Sequence, residues 1–400
     1  MQPTIHVIGH SCRSLAQSLV RAGYPVVAFD DYQDRDLAAI AECHPIANFA
    51  EYRPEQTGLI YPQQAGLSRP MIMLAGGMEN RIAMLREIET RYQVLGPTAQ
   101  DIVAIRDTRV FQDLTVRASI GFPEVRDPDF RTTPSLQADW IWKPFRSGGG
   151  QSIFRMSENS RTTLVNSSGG YWQRFIHGNV ISATWLIDSL DAELLASCTS
   201  VTNTSWPGPT EFGYRGSLFG SELNSDQNQL LVGLGQLVRQ ETNYRGLLQA
   251  DLVLDNDGKP WLLEFNPRWA ASFEVIERSL HRNLAAMHLA ACDPVLANLK
   301  YPVSEMFPAA SKETCGKAIL YAPHDLVIGQ ASSDWLFAAR NGWGLPSGQE
   351  FFVADIPPVG AILHAGQPIV SLLAYGKNHA GVLETLGQAQ SLVLDKIVRM

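Results

Sequence analysis

The 400-residue sequence predicts a mixed α/β (α+β) protein, with an open parallel sheet first, antiparallel strand pairs next and a β-rich segment to close the chain. Three stretches carry that reading. The opening "TIHVIGHSCRSLAQSLVRAGYPVVAFDDYQDRD" alternates a β-rich run, a small-residue turn, an apolar helix and a second β-rich run ending in Asp30 and Asp31, which is a β-α-β unit. "LLQADLVLDNDGKPWLLEFNPR" is two strands joined by the turn signal "DNDGKP". From Cys315 onward, "GKAILYAPHDLVI" and "FFVADIPPVGAILHAGQPIVSLLAYG" turn β-rich again before a last helix over 379–398.

The turn Gly9-His10-Ser11-Cys12 lacks the second and third glycines of the G-x-G-x-x-G dinucleotide fingerprint, which argues against NAD. "PMIMLAGGMEN" adds a strand and a glycine turn before a helix from Arg81 to Tyr92. Glu79 and Asn80 either cap that helix or meet a substrate at the carboxyl end of the strand. The first domain ends near Gly96-Pro97. A helix over 106–118 and the turn "IGFPEV" lead to "ADWIWKPFRSGGGQSIFRM", in which Trp140, Ile141 and Trp142 form a strand and Lys143 ends it. Gly148, Gly149 and Gly150 then turn the chain. Without a Cβ, such a loop can lay backbone N–H groups against phosphates, and Arg146 and Ser147 add donors; the plainer reading is a flexible hairpin. "YWQRFIHGNVISATWLID" reads as an antiparallel hairpin folded at His177-Gly178, and the pattern is helical from about 274 through Ala291.

With 45% hydrophobic residues the chain can build two or three domain cores. A formal net charge of −8 argues against a nucleic-acid partner, which would call for a basic stripe. The start, "MQPTIHVIGHSC", lacks the regions of a signal peptide, and no run approaches the ~20 apolar residues that span a membrane, so a cytoplasmic protein without a membrane partner is expected. Five cysteines, odd in number and widely spaced, fit reduced thiols.

The chemistry concentrates in "WLLEFNPRWAAS". A strand projects alternate residues onto one face, so Glu264, Asn266 and Arg268 would share a space while Leu263 and Phe265 face away. Asp251, a lone acid beside Leu252, Val253 and Leu254 on the preceding strand, is costly unless paired or metal-bound. Mg²⁺ takes oxygen ligands, commonly one or two carboxylates with substrate phosphates, and Asp251, Glu264 and the Asn266 amide oxygen supply such oxygens. Lys143 offers a point charge to phosphate, and Arg268 can grip an anion with a bidentate fork. The alternative is a set of buried salt bridges in which Arg268 neutralises Glu264, but Asn266 adds nothing to an ion pair.

This order and spacing resemble the ATP-grasp superfamily, which includes biotin carboxylase, D-alanine–D-alanine ligase and carbamoyl-phosphate synthetase, and the resemblance covers nearly the whole chain. It implies a Rossmann-like domain over 1–97, a small ATP-grasp lobe over 98–178, a large lobe with the metal site over 179–310 and a C-terminal β-rich subdomain over 311–400. By that likeness Asp251, Glu264 and Asn266 hold one or two Mg²⁺ ions between the phosphates of ATP, and Arg268 steadies the transferred phosphoryl group or acyl phosphate. "WIWKPFRSGGG" is similar to the nucleotide-gripping lysine and phosphate loop, which assigns Lys143, Arg146, Ser147, Gly148, Gly149 and Gly150 to ATP. "YWQRFIHG" takes the place of the inter-lobe strand that receives adenine, at Gln173, Arg174, Phe175 and Ile176. Relatives often carry Glu where this chain has Arg174. Where they place a second ATP-contacting lysine this chain has "IRDTR", so Arg106 or Arg109 stands in.

"GHSCRSLAQSLVRAGYPVVAFDDYQDRD", "GGMEN" and "FGYRGSLFG" look like a group of predicted ATP-dependent carboligases related to tyramine-glutamate ligase. That resemblance implies a ligase joining a small-molecule carboxylate to an amine through an acyl phosphate, within biosynthesis of a methanofuran- or methylofuran-type one-carbon cofactor. A biotin-carboxylase-like reaction and a nucleotide-binding regulatory protein without turnover are the alternatives. Arg215 is a candidate for the acid or a structural arginine, and a homo-oligomer is left open.

Overall fold

The computed structural model describes residues 2–54, 69–127, 139–146, 148–156, 169–202, 206, 208, 210–293, 296 and 313–399. Five strands open the chain: β1 (Ile5–Gly9), β2 (Val26–Asp30), β3 (Glu42–His44), β4 (Met71–Leu74) and β5 (Gln93–Val94). They form one parallel sheet in the order β3-β2-β1-β4-β5. β1 and β2 are buried along their whole length, as continuous apolar runs in a parallel sheet covered on both faces must be. From β1 the order runs outward in both directions, so the switch point, where an open α/β sheet places its ligand crevice, falls beyond the carboxyl ends of β1 and β4, at the loops Gly9–Cys12 and Ala75–Asn80.

The helix expected over 106–118 is Thr108–Arg117, and another helix, Ala99–Ile105, precedes it outside that span. Thr98 and Asp101 form a capping box on Ala99–Ile105, and the Asp107 carboxylate accepts from Arg109 N–H to start Thr108–Arg117, so the break falls where the sequence places its own caps. Four strands follow in a small antiparallel sheet: β6 (Val125–Arg126), β7 (Trp140–Pro144), β8 (Phe154–Arg155) and β9 (Gly170–Arg174), in the order β6-β9-β7-β8. Trp140, Trp142 and Trp172 pack together on one face of it.

β10 (Gly178–Ile187), β11 (Ala192–Ser200), β12 (Gly216–Phe219), β13 (Gly246–Asp255) and β14 (Pro260–Asn266) build most of a nine-stranded antiparallel sheet. The hairpin expected at His177-Gly178 does not form. β9 pairs with β6 and β7, whereas β10 pairs with β11 and β13, so residues 175–177 carry the chain from the small sheet to the large one. The apolar alternation was real, but each strand had a better partner elsewhere. Helices Thr108–Arg117 and Ser225–Glu241 cover one face of the large sheet over Trp185, Leu252, Leu262 and Phe265.

The helical run after 274 is likewise broken into Phe273–Leu280 and Leu284–Cys292 by His281, which adopts φ 53°. β15 (Thr314–Tyr321) joins the large sheet beside β12. Beyond it come β16 (Leu326–Val327), helix Gln330–Ala339, β17 (Trp343–Gly344), β18 (Glu350–Ala354), β19 (Ile362–Leu363), β20 (Pro368–Gly376) and helix His379–Arg399. The large sheet reads β14-β13-β10-β11-β12-β15-β20-β18-β17, so the C-terminal strands extend the sheet of the preceding lobe. No helix among the described residues is long and apolar enough to cross a membrane.

A buried ionic cluster fastens these parts. Arg13, wholly buried, donates to Glu274 at 2.6 and 2.8 Å and to Asp355 at 2.8 and 3.1 Å. Lys317 Nζ reaches the same two carboxylates at 3.0 and 3.5 Å. Its members come from the first helix, helix Phe273–Leu280, β15 and the end of β18. Arg13 and Lys317 hold the Glu274 and Asp355 carboxyls below their ordinary range despite the burial that opposes this.

Candidate active site

Three sheets converge on one polar chain. On β7 the side chains alternate, so Lys143 lies on the face opposite Trp140 and Trp142, in register with Tyr171 on β9. Its Nζ crosses to the large sheet and donates to Glu264 Oε2 at 3.0 Å. Asp251 on β13 and Glu264 on β14 are register partners, and the register shifts beside them so that Leu252 faces Leu262. Leu263 is therefore the extra residue of a bulge, and Leu262, wholly buried, takes the core place expected for Leu263. Phe265 is buried as expected.

From there the chain of contacts runs along the end of β14. Asn266 Nδ2 donates to Asp251 Oδ2 at 2.8 Å, Arg268 Nη2 donates to Asn266 Oδ1 at 3.0 Å, and Arg268 Nε lies 3.3 Å from Glu79 Oε1. Trp269 N–H bonds Leu74 O at 3.0 Å, which fixes this end of β14 against the carboxyl end of β4. Arg106 Nη1 then donates to Glu79 O at 2.9 Å and to Asn80 Oδ1 at 3.0 Å. Arg268 thus pairs with Glu79 and not with Glu264, so the bland salt-bridge reading of the strand fails at its central pair.

The electrostatics follow from this packing. Lys143 pulls the Glu264 carboxyl below its ordinary range. Burial alone would push the Lys143 ammonium down, but Glu264, with Tyr171 and Asp251, overrides it and raises it. Asp251 is pushed up to about 6, first by burial and then by the charge of Glu264 opposite. Lys143 is committed to Glu264 and Arg268 to Glu79, so among the described residues Asp251 faces a second carboxylate without a bonded cation of its own.

That shortage suits a hard divalent cation, which takes one or two carboxylates and completes its shell with substrate phosphates. Asp251 and Glu264 fit that role. The Asn266 amide oxygen accepts one bond from Arg268 and keeps its second lone pair for a cation. Among the described residues no cluster of three or more His, Cys, Asp or Glu is set to hold a metal ion.

The glycine loop docks close to the large sheet. Gly149 and Gly150 adopt φ 63° and 71°, and Gly149 O accepts from Tyr214 N–H at 2.9 Å. A Cβ on Gly150 would lie 2.0 Å from Phe212 O, so only glycine allows this approach. Ser147 lies outside the described residues, and Arg146 is exposed beside the loop. Gln173 is 1% exposed, and both ends of its amide lack a partner among the described residues; by register it shares the face of Lys143. Arg174 N–H and Phe175 N–H are spent on Glu124 O and Asp139 O, and Arg174, Phe175, Ile176 and His177 edge a pocket of about 470 Å³ with Asp257 and Trp261.

Of the two upstream arginines, Arg106 joins the polar chain and Arg109 stays exposed on its helix. Arg215 donates to Thr210 O and Gly213 O and is buried against Gly208, so it shapes the loop before β12. The sequence left His10 and Asp31 unassigned. Their ring nitrogen Nδ1 and carboxylate Oδ2 meet at the mouth of the crevice, and a position just after β1, at the point where the sheet order reverses, was the signal available.

Residues 111–272 match the ATP-grasp domain family. Over 147 residues the chain is 25% identical to an uncharacterised protein, MJ0776, from Methanocaldococcus jannaschii; the match covers 37% of this chain and 30% of that one, well under two thirds of its length. Among solved structures it is similar to the ADP complex of PurK, N5-carboxyaminoimidazole ribonucleotide synthetase, at 14% identity over 99% of this chain and 98% of that one, with a TM-score of 0.67. The L-amino acid ligase from Bacillus licheniformis aligns at 14% identity over 99% and 98%, with a TM-score of 0.66. The biotin carboxylase domain of Hydrogenobacter thermophilus 2-oxoglutarate carboxylase, solved with MgADP, ADP and bicarbonate, aligns at 13% identity over 96% and 89%, also with a TM-score of 0.66.

Proposed function

We propose that this chain, whose residues 111–272 match the ATP-grasp domain family, is an ATP-dependent ligase that joins a small-molecule carboxylate to an amine through an acyl phosphate, releasing ADP and phosphate. The observation that carries this reading is a pair of contact runs, Lys143–Glu264 and Asp251–Asn266–Arg268–Glu79 with Arg106, which meet where Asp251 and Glu264 are register partners and join the small sheet, the large sheet and the carboxyl end of the parallel sheet. A phosphoryl donor on the large sheet and an acceptor in the crevice would meet at Arg268.

Each residue has a part in that scheme. Lys143, Arg146 and the Gly148–Gly150 loop, with Ser147, bind the phosphates and keep water from them. Gln173 and the Arg174–Ile176 segment take the base; with two of its N–H groups already bonded, the segment leaves Ile176 and His177 to make backbone contacts. Arg109 has no part in the polar chain, and Arg106 takes the upstream cation's place. One or two Mg²⁺ ions held by Asp251, Glu264 and the Asn266 amide oxygen would supply charge neutralisation on the phosphates. Arg268, oriented by Asn266 and Glu79, offers its guanidinium to the group in transfer, where preorganised positive charge lowers the barrier most. The amide-forming step in a methanofuran-type cofactor is the pathway this reading favours, on the sequence resemblance alone.

The test is ADP release from Mg-ATP with pooled amino and dicarboxylic acids and hydroxylamine, with mass spectrometry for hydroxamates. Wild type should form a hydroxamate, and Glu264→Gln should lose about 10²-fold or more of that rate with little loss of stability. Near-normal turnover in the variant would sink the assignment. The likeness to a domain solved with bicarbonate supports a second reading, in which the acid is bicarbonate. ADP release that needs bicarbonate and yields no hydroxamate would favour it.

A further inference from the structure

The geometry points to His10, oriented by Asp31, as the general base that takes the proton from the acceptor amine; this rests on the ligase reading above. An amine reaches a neutral-pH active site protonated and cannot attack until it loses that proton. The cations of the polar chain cannot accept it, since Arg106 and Arg268 are guanidiniums and the Lys143 ammonium holds its proton more firmly than an ordinary lysine; of its carboxylates, Asp251 and Glu264 are assigned to the metal ion above and Glu79 accepts from Arg268.

His10 stands at the carboxyl end of β1, at the reversal in sheet order. Its side chain is 51% exposed. Its backbone N–H bonds Gly76 O at 2.8 Å, tying the loop after β1 to the loop after β4. Its ring lies against Gly77, where a Cβ would come within 2.0 Å of Cδ2, and Gly77 has φ 91°. Gly77 starts the Met78–Asn80 turn whose Glu79 receives Arg268. The imidazole is thus one turn of backbone from the arginine at the end of the polar chain, and the glycine leaves room for it.

Asp31 fixes the ring. Its Oδ2 accepts from Nδ1 in the neutral imidazole, which leaves Nε2, lying beside Gly77, as the unprotonated ring nitrogen. Arg81 Nη2 reaches the same oxygen at 3.4 Å and holds the carboxylate in place. Asp31, Arg81 and, through the turn, Glu79 are the charged groups around the ring. This is the base-and-orienter arrangement of many proton-transfer sites, with Asp31 as the positioning residue.

The step balances as follows. The ammonium group gives one proton to His10 Nε2, and the freed nitrogen lone pair attacks the carbonyl carbon of the acyl phosphate. The C–N bond forms and the C–O bond to phosphorus breaks. The second nitrogen proton leaves with the departing phosphate, and His10 returns its proton to water.

Two small acceptors separate this role from any other. Hydroxylamine is largely unprotonated at neutral pH and needs no base, whereas ammonium is almost wholly protonated. With the same acid pools, wild type should form both the hydroxamate and, from ammonium, the amide. His10→Ala should keep hydroxamate formation near the wild-type rate, which also shows that it is folded, and lose about 10²-fold or more of amide formation. Added imidazole should restore part of the loss. Asp31→Asn should lower kcat for the amide without changing hydroxamate formation.

Amide formation by His10→Ala at the wild-type rate, or a parallel fall in both products, overturns the assignment. So does a wild type that makes hydroxamate and no amide. A wild type that forms neither product overturns the ligase reading itself, and this inference with it.

Discussion

Removing the charge of Asp251 should make the protein more stable and less active. Burial and the facing Glu264 push this carboxyl to about 6, whereas an ordinary aspartate titrates at about 3.9. Between those values the folded protein holds a proton more tightly than the unfolded chain, so stability falls as pH rises, and the penalty is complete above about pH 6. A difference of about two units corresponds to about 3 kcal/mol, and partial solvent access brings this to about 1–3 kcal/mol. Asp251→Asn keeps a partner for Asn266 Nδ2 and abolishes the charge. Urea denaturation with a chelator present should find the variant more stable by that amount at about pH 7.5 and equal to wild type below about pH 4, while ADP release falls at least 10²-fold. A variant less stable at neutral pH, or a gain that does not change between those two conditions, would refute the reasoning.

Two further perturbations test the packing around the site. Arg13→Met strands Glu274 and Asp355 as buried carboxylates with too little positive charge and should cost about 3–5 kcal/mol by equilibrium denaturation, part of it recovered when Glu274→Gln is added. His288, whose Nδ1 accepts from Leu247 N–H at 2.9 Å, is pushed down to about 4 by burial. The unfolded chain therefore binds its proton first on acidification, and stability that is complete above about pH 6.5 should be lost by up to about 3 kcal/mol as pH falls towards 4. In a pH series of melting temperatures, His288→Gln should flatten that acid limb, and an unchanged limb would count against the assignment.

The sequence made the site's chemistry legible where local pattern decides position. Asp251 and Glu264 face each other because a six-residue turn signal between two apolar runs forces a hairpin, and that alone sets their register to within the bulge. The β-α-β start was legible for the same reason. What stayed hidden depended on partners far along the chain. The alternation after Tyr171 could not tell a hairpin from a crossing between sheets, because β9 pairs with β7 up to 34 residues back and β10 with β13 up to 77 residues on. Arg268 pairing with Glu79, across 189 residues, and His10 lying against Gly77 are set by how the parallel sheet docks on the large one, which no window of sequence contains.

The buried cluster around Arg13 also orders events during synthesis. Its bond to Asp355 closes over 342 residues, so at a ribosomal rate of about 5–20 residues per second the guanidinium waits roughly 20–70 s for its last carboxylate. Through that interval the first helix carries a charge made for an interior that is not yet complete. Arg268 and Glu79 can meet once residue 268 has emerged, and Arg13 can reach Glu274 soon after, but the guanidinium stays one carboxylate short until Asp355 follows. An incomplete chain can therefore bring the polar chain together while the ionic cluster that fastens the parts is still open.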